Sequence, residues 1–319
     1  MEPRKDLLDL DTLELGEIEE LLASISHFKA LSSRTVKKVP RLQGKTVLLL
    51  FYEPSTRTAG SFEVAAKRMS ADVISLPEAQ SSVVKGETIL DTVDTMGAMG
   101  IDYVVVRHQR SGIPNLIAKH TRASVINAGD GYHAHPTQGL LDAFTLFEVW
   151  DGKFAGRKLL IAGDVMHSRV ARSTSTVLRK LGVEVGVLGP GSLVPRGNPE
   201  AHRVFRNWKE AFAWSPDAVY LLRIQMERMG EPFFPSLAEY HRAYGLTRER
   251  LARLRERGGW VMHPGPINRG VELANEVTEY ERCLIGKQVE NGVATRMAVL
   301  YWLRPRVEHG GTSTEVTHE

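Results

Sequence analysis

The sequence predicts an α/β protein: two doubly wound parallel-sheet domains joined by long helices, with a binding site in the interdomain cleft. Three observations predict it. All-apolar runs such as Val47-Leu48-Leu49-Leu50 and Tyr103-Val104-Val105-Val106 read as strands buried on both faces, which requires helices on both sides of the sheet. These runs alternate with stretches of helical length, the order that parallel sheets need. The 319 residues also exceed one ordinary core, so two domains are the natural count.

Each element follows in turn. Ile18, Leu21, Leu22 and Ile25 fall on one face of a first helix expected to start near Asp11 or Thr12. Strands are expected at Lys45–Tyr52, Asp72–Leu76, Tyr103–Arg107 and Ser124–Ala128, with helices at Ser55–Met69, Thr88–Gly97 and Ile113–His120 between them. A long helix, Thr137–Trp150, ends at Asp151-Gly152-Lys153. A second series has strands at Lys158–Ala162, Glu184–Leu188, Ala218–Leu222 and Trp260–Met262, and helices at Ser168–Leu181 and Thr247–Arg257. A last helix, Gln288–Leu303, closes the chain. The expected division is residues 1–136 with 288–306 as one domain, 137–287 as the second, and 307–319 as a flexible tail, since that stretch is polar and without periodicity.

Composition narrows the function. Net charge is +3 with basic residues spread along the chain, which gives nucleic-acid binding no support. One cysteine, Cys283, excludes an intrachain disulfide and a Cys-rich zinc site, as suits a reducing cytoplasm. The N-terminus lacks the apolar core of a signal peptide, and no run of about 18 apolar residues occurs, so a soluble cytoplasmic protein with no membrane partner is expected. Gly163-Asp164 lacks the Gly-x-Gly-x-x-Gly spacing of dinucleotide folds, and neither a P-loop nor a Gly-x-Ser-x-Gly elbow is present.

In open parallel sheets ligands bind beyond the carboxyl ends of the strands, so the residues that end each strand matter most. After the first strand, Phe51-Tyr52-Glu53-Pro54-Ser55-Thr56-Arg57-Thr58 brings hydroxyls, a guanidinium and free backbone N–H groups to one helix N-terminus. That combination suits a phosphate, which the helix dipole favours and Arg57 can fork; the alternative is that Ser55 or Thr56 merely caps the helix. Arg107 is carried out of a buried strand to the sheet edge. His135 precedes the long helix and can donate to a carbonyl oxygen, with Gln138 one turn on. His108, His133 and His135 raise the question of a metal, but no carboxylate stands at helical spacing to complete it, and none is expected. Arg169 and Arg223, at separate strand ends of the second series, suit a ligand with two carboxylates. The other strand ends, Gly163 to Arg169 and His263-Pro264-Gly265-Pro266, are equally rich in polar groups.

These segments, in this order from about residue 7 to residue 304, resemble the aspartate and ornithine carbamoyltransferases, and the octapeptide resembles their carbamoyl-phosphate signature. The resemblance implies transfer of a carbamoyl group from carbamoyl phosphate to L-aspartate in de novo pyrimidine synthesis, without a cofactor. Ser55, Thr56, Arg57 and Thr58 would hold the phosphate; Thr58, Arg107 and His135 would polarise the carbonyl, and Arg57 would join them in catalysis. Gln138 would hold the carbamoyl amino group. Gly265 and Pro266 would offer backbone carbonyls. Ser81 and Lys85 match a loop that reaches into a neighbouring subunit's site, which implies a homotrimer with shared active sites. Lys85, Arg169, Arg223 and Gln225 would bind aspartate, and Tyr240 with Tyr244-Gly245-Leu246-Thr247 looks like the mobile loop that closes over it. The resemblance also admits assembly with regulatory chains or a dihydroorotase. It departs from many relatives in having Gly265 for Leu or Ala, and Val84 for a second Lys. The ornithine branch carries a Cys after the last histidine and a Ser-Met-Gly loop; here Pro264 follows His263 and no Ser-Met-Gly occurs, so the aspartate branch is expected. A catalytically silent relative would have lost anion-binding residues, and all are present.

Overall fold

In the computed structural model of the chain, the described residues are 4–32, 34–77, 88–195, 197–199, 201–224 and 236–303. Four parallel strands form the first sheet: β1 (Thr46–Phe51), β2 (Asp72–Pro77), β3 (Tyr103–His108) and β4 (Ser124–Asp130), in the order β2-β1-β3-β4. The second is also parallel: β5 (Lys158–Ala162), β6 (Glu184–Leu188), β7 (Arg203–Phe205), β8 (Ala218–Leu221) and β9 (Trp260–Met262), in the order β7-β6-β5-β8-β9. β4 is buried along its whole length, and so are all but the first residue of β5 and β6. This is why β5 and β6 read, after their first residue, as apolar runs instead of alternating ones, whereas the buried Asn127 and Asp130 of β4 bond to each other.

The helices are α1 (Leu15–Ser32), α2 (Thr56–Arg68), α3 (Ile89–Ala98), α4 (Ile113–His120), α5 (Pro136–Val149), α6 (Arg169–Lys180), α7 (Trp208–Ala213), α8 (Leu237–Tyr244), α9 (Arg248–Glu256) and α10 (Ile285–Trp302). α5 packs on α1, α6 and α10, and α10 packs on α1 and α2. One apolar cluster therefore runs from Leu49 and Val105 under the first sheet, through Phe144 and Leu146 of α5, to Leu159 and Val185 under the second. Among the described residues, no helix is long and apolar enough to cross a membrane.

Most expected elements lie within a residue or two of their observed bounds, and four points differ. α1 starts at Leu15, because Asp9 accepts from the Thr12 backbone N–H at 3.0 Å and hydroxyl at 2.9 Å, turning the chain first. α10 begins at Ile285, three residues before Gln288. The short β7 and α7 had no clear periodicity. Residues Leu237–Tyr244, expected as part of a loop, form α8, capped by Ser236 accepting from the Glu239 N–H, and Tyr240 is 2% exposed. Residues 225–235 and 304–319 lie outside the described residues.

Candidate active site

Strand order reverses between β1 and β3 in one sheet and between β5 and β8 in the other. A crevice opens at such a reversal because the helices on either side diverge. Ser55 to Thr58 and Arg107 follow the first pair; the loop to Arg169 and Arg223 follows the second.

At the first crevice, Ser55 is the N-cap of α2, yet its side chain makes no bond to the helix. Ser168 at the start of α6 does cap, accepting from the Ala171 N–H at 3.1 Å. Mere capping thus does not explain Ser55. Arg107 sits where the register of β3 against β4 shifts, an irregularity that re-aims a side chain. Its Nη2 donates to Glu53 Oε1 at 3.1 Å and its Nη1 to the Ala128 carbonyl at 3.3 Å.

Glu53 also accepts from Arg169 Nη2, at 2.9 Å to Oε2 and 3.1 Å to Oε1, while Arg169 Nη1 donates to the Gly131 carbonyl at 3.2 Å. The side chains of Glu53, Arg107 and Arg169 are 13%, 12% and 6% exposed, so this bridge between the halves is largely withdrawn from water. Gly129, at φ +116°, lies beneath it; a Cβ there would stand 2.9 Å from Arg169 Nε and 3.3 Å from Arg107 Nη1. Only glycine permits two guanidiniums so close to the backbone.

His135 is 3% exposed and stands just ahead of α5, its backbone N–H donating to Ser173 Oγ at 2.9 Å. The preceding loop is held by buried Asp130, which accepts from Asn127, the Ala134 N–H and the Gly112 N–H. Burial, then the charges of Arg107, Arg169 and Arg296, holds the His135 pKa well below 6.5. The imidazole is therefore neutral at pH 7, a donor and not a cation, and its Nδ1 is buried without a hydrogen bond.

Arg57 crosses from the first half to touch the second: a Cβ on Gly265, at φ +63°, would lie 3.0 Å from its Cζ. Burial and the charge of Arg223 lower the Arg57 pKa, which places those two guanidiniums within electrostatic reach. The Arg223 loop is tied down by Glu272, 1% exposed, which accepts from the Ile224 N–H at 3.1 Å and from Asn268 at 3.0 Å and 3.1 Å. His263 Nδ1 accepts from the Gly265 N–H at 2.8 Å, which fixes the turn before Pro266.

Gln138 donates through Nε2 to Asp142 at 3.0 Å. Asp142 is fully buried on α5 and gathers α6, β8 and α10 around it through Thr174, Tyr220 and Gln288. Thr58 is buried and Thr56 exposed at the start of α2.

The structure thus joins Arg107 and Arg169 through Glu53 beside His135, and lays Arg57 against Gly265 within the field of Arg223; Ser55, Thr56 and Thr58 stand at the start of α2, and Gln138 is bonded to buried Asp142. Ser81, Lys85 and Gln225, with Val84, lie outside the described residues. Three residues escaped the sequence reading. Glu53 stood inside the octapeptide, where a carboxylate among cations was the available signal, and Asp142 stood one turn beyond Gln138. Glu272 had no local signal. Among the described residues no group of three His, Cys, Asp or Glu side chains could hold a metal ion. A shallow cavity of about 480 Å³, lined by Ser111, Asn115, Tyr132, His133 and Arg172, contains none of these site residues.

Both halves match one family. The aspartate/ornithine carbamoyltransferase carbamoyl-P binding domain matches residues 5–148, and the Asp/Orn binding domain of that family matches residues 155–303. The aspartate carbamoyltransferase catalytic subunit of Akkermansia muciniphila is 57% identical over 96% of this chain and 99% of its own length. Aspartate transcarbamoylase from Trypanosoma cruzi, solved in complex with carbamoyl phosphate and aspartate, superposes with a TM-score of 0.84 at 26% identity, over 94% of this chain and 96% of that one. Ornithine carbamoyltransferase from Thermus thermophilus gives 0.81 at 27%, over 94% and 99%, so backbone shape alone does not separate the two branches. Matched along both halves, this chain belongs to the aspartate/ornithine carbamoyltransferase family.

Proposed function

We propose that this chain transfers the carbamoyl group of carbamoyl phosphate to the α-amine of L-aspartate, giving N-carbamoyl-L-aspartate and phosphate. The observation that carries the proposal is the pairing of cations from the two halves: Arg107 and Arg169 share Glu53 beside a histidine held neutral, and Arg57 lies against Gly265 within the field of Arg223. Two polyanions repel each other in water, and cations from two walls offset that repulsion while fixing the pair in reacting geometry.

The roles follow from chemistry and position. Ser55, Thr56, Arg57 and Thr58 take the phosphate at the start of α2. The amine attacks the carbonyl carbon; as negative charge grows on the carbonyl oxygen, Thr58, Arg107 and the neutral N–H of His135 stabilise it. Gln138 holds the carbamoyl amino group, and the Gly265 and Pro266 carbonyls orient the incoming amine and the carbamoyl group. The C–O bond to phosphate then breaks, and the departing phosphate accepts the proton that the amine loses. Arg169 takes one carboxylate of aspartate, exchanging part of its bond to Glu53 for it, and Arg223 with Gln225 takes the other.

Aspartate is preferred to ornithine because Arg223 attracts a carboxylate and repels an ammonium. Curated relatives at 57%, 48% and 52% identity are aspartate carbamoyltransferase catalytic subunits, which supports the same choice. Ser81 and Lys85 come from a neighbouring subunit of a homotrimer, Lys85 also meeting aspartate. The setting is the cytoplasm and de novo pyrimidine synthesis, with regulatory chains or a dihydroorotase as further partners. The domain division proposed is residues 1–136 with 288–306 for carbamoyl phosphate and 137–287 for aspartate. The test offers the purified chain carbamoyl phosphate with aspartate or ornithine in parallel. Product from aspartate alone is expected; product from ornithine overturns the acceptor assignment, and product from neither overturns the activity.

A further inference from the structure

Gln138 reads the carbamoyl amino group only if its amide oxygen, and not its nitrogen, faces the cleft. An amide side chain has one accepting and one donating end, and nothing in glutamine itself decides which points where. The decision lies deeper in the protein. Asp142 is 0% exposed, and each of its oxygens takes two donors. Oδ1 accepts from Gln138 Nε2 at 3.0 Å and from Gln288 Nε2 at 2.8 Å; Oδ2 accepts from Thr174 Oγ1 and Tyr220 OH, both at 2.8 Å.

The Gln288 amide cannot be reversed. Its Oε1 already accepts from the His263 backbone N–H at 3.0 Å, and turning it round would orphan that buried donor. Gln288 therefore presents its nitrogen to Oδ1, and Oδ1 acts as an acceptor. Gln138, sharing that oxygen, is held with its nitrogen inward. Its own Oε1 receives no hydrogen bond among the described residues and is left for a ligand's N–H.

We propose that Asp142, which touches no substrate, is a positioning residue: it fixes the acceptor end of Gln138 toward the cleft and so makes the site select a carbamoyl NH2 over an isosteric methyl group. The inference rests on the proposed activity. Acetyl phosphate is the probe, since it differs from carbamoyl phosphate only in bearing CH3 where the substrate bears NH2. The readout is the affinity for carbamoyl phosphate divided by that for acetyl phosphate.

The wild-type chain is expected to prefer carbamoyl phosphate at least about tenfold, the scale of one buried hydrogen bond made or missing. Gln138→Met is expected to lose that preference while acetyl phosphate still binds. Asp142→Ala is expected to lose it equally, and the double variant is expected to lose no more than either alone, because Asp142 acts through Gln138. Asp142→Asn is expected to keep it: its carbonyl can serve the two glutamines while its NH2 faces the Thr174 and Tyr220 hydroxyls, which can accept. If the alanine variant does not fold, Asp142→Leu fills the same space and is read in the same way.

A merely structural role for Asp142 would weaken both ligands alike and add to the loss at Gln138. Either result overturns the inference, as does a wild-type chain that binds both acyl phosphates equally. Binding of neither by the wild-type chain would instead overturn the proposed activity on which the inference rests.

Discussion

Replacing Glu53 by Gln isolates the charge that ties the two halves together. Gln has the same shape, so the change removes a negative charge and turns an N–H toward a guanidinium. At stake are three N–H···O contacts at 3.1, 3.1 and 2.9 Å, between groups only 6–13% exposed. Removing one partner of a buried ion pair costs about 3–5 kcal/mol, and the residual exposure here brings the expectation to about 2–4 kcal/mol. Two guanidiniums that both approach Gly129 are then left facing each other. Urea unfolding of the two proteins in phosphate-free buffer measures the difference. An anionic ligand can replace the lost charge, so N-(phosphonacetyl)-L-aspartate should raise the midpoint of Glu53→Gln by more than it raises that of the wild type. A loss below about 1 kcal/mol, or equal stabilisation of both proteins by the ligand, would refute the reasoning.

Ser55→Ala should leave stability within about 0.5 kcal/mol of wild type while weakening carbamoyl-phosphate binding, whereas Ser168→Ala, which removes a real cap, should cost about 1 kcal/mol. Thermal unfolding and ligand titration separate the two, and a clear destabilisation at Ser55 would return it to a capping role. His135→Ala should lower kcat by about 10²–10³, the scale for one oxyanion donor, and a loss under about tenfold would remove it from that task. His135 also sets a pH dependence. Its folded pKa lies well below the unfolded 6.5, so the unfolded chain takes up the proton first, and stability present above pH 6.5 is lost as pH falls through the folded pKa. The unfolding midpoint of His135→Ala should therefore fall less between pH 7 and pH 5.5 than that of the wild type, and an equal fall would contradict the buried neutral imidazole. Arg223→Ala should abolish the use of aspartate while phosphate binding survives, as steady-state kinetics and direct titration would show; equal loss of both would count against its assignment.

Eight of the nine strands among the described residues, their parallel class and the residues that end them were legible in the sequence, because burial on both faces leaves an apolar run that needs no partner to be recognised; the short, partly exposed β7 leaves none. Val47–Leu50 and Tyr103–Val106 announced themselves that way, and Ser55 to Thr58 stood out as a rare cluster of hydroxyls beside an arginine. The family was legible for the same reason, its motifs being contiguous. Other features depend on contacts between distant segments. That Ser55 does not cap α2, that Glu53 joins Arg107 to Arg169, and that Arg57 lies against Gly265 are facts of packing across the cleft. The helical state of residues 237–244 was hidden because the family resemblance implied a mobile loop at Tyr240 and Tyr244, whereas the Ser236 cap and a buried Tyr240 hold a helix. The polarity of Gln138 and the neutrality of His135 were beyond any local reading: a hydrogen-bond direction and a proton's affinity are set by neighbours that only the folded chain supplies.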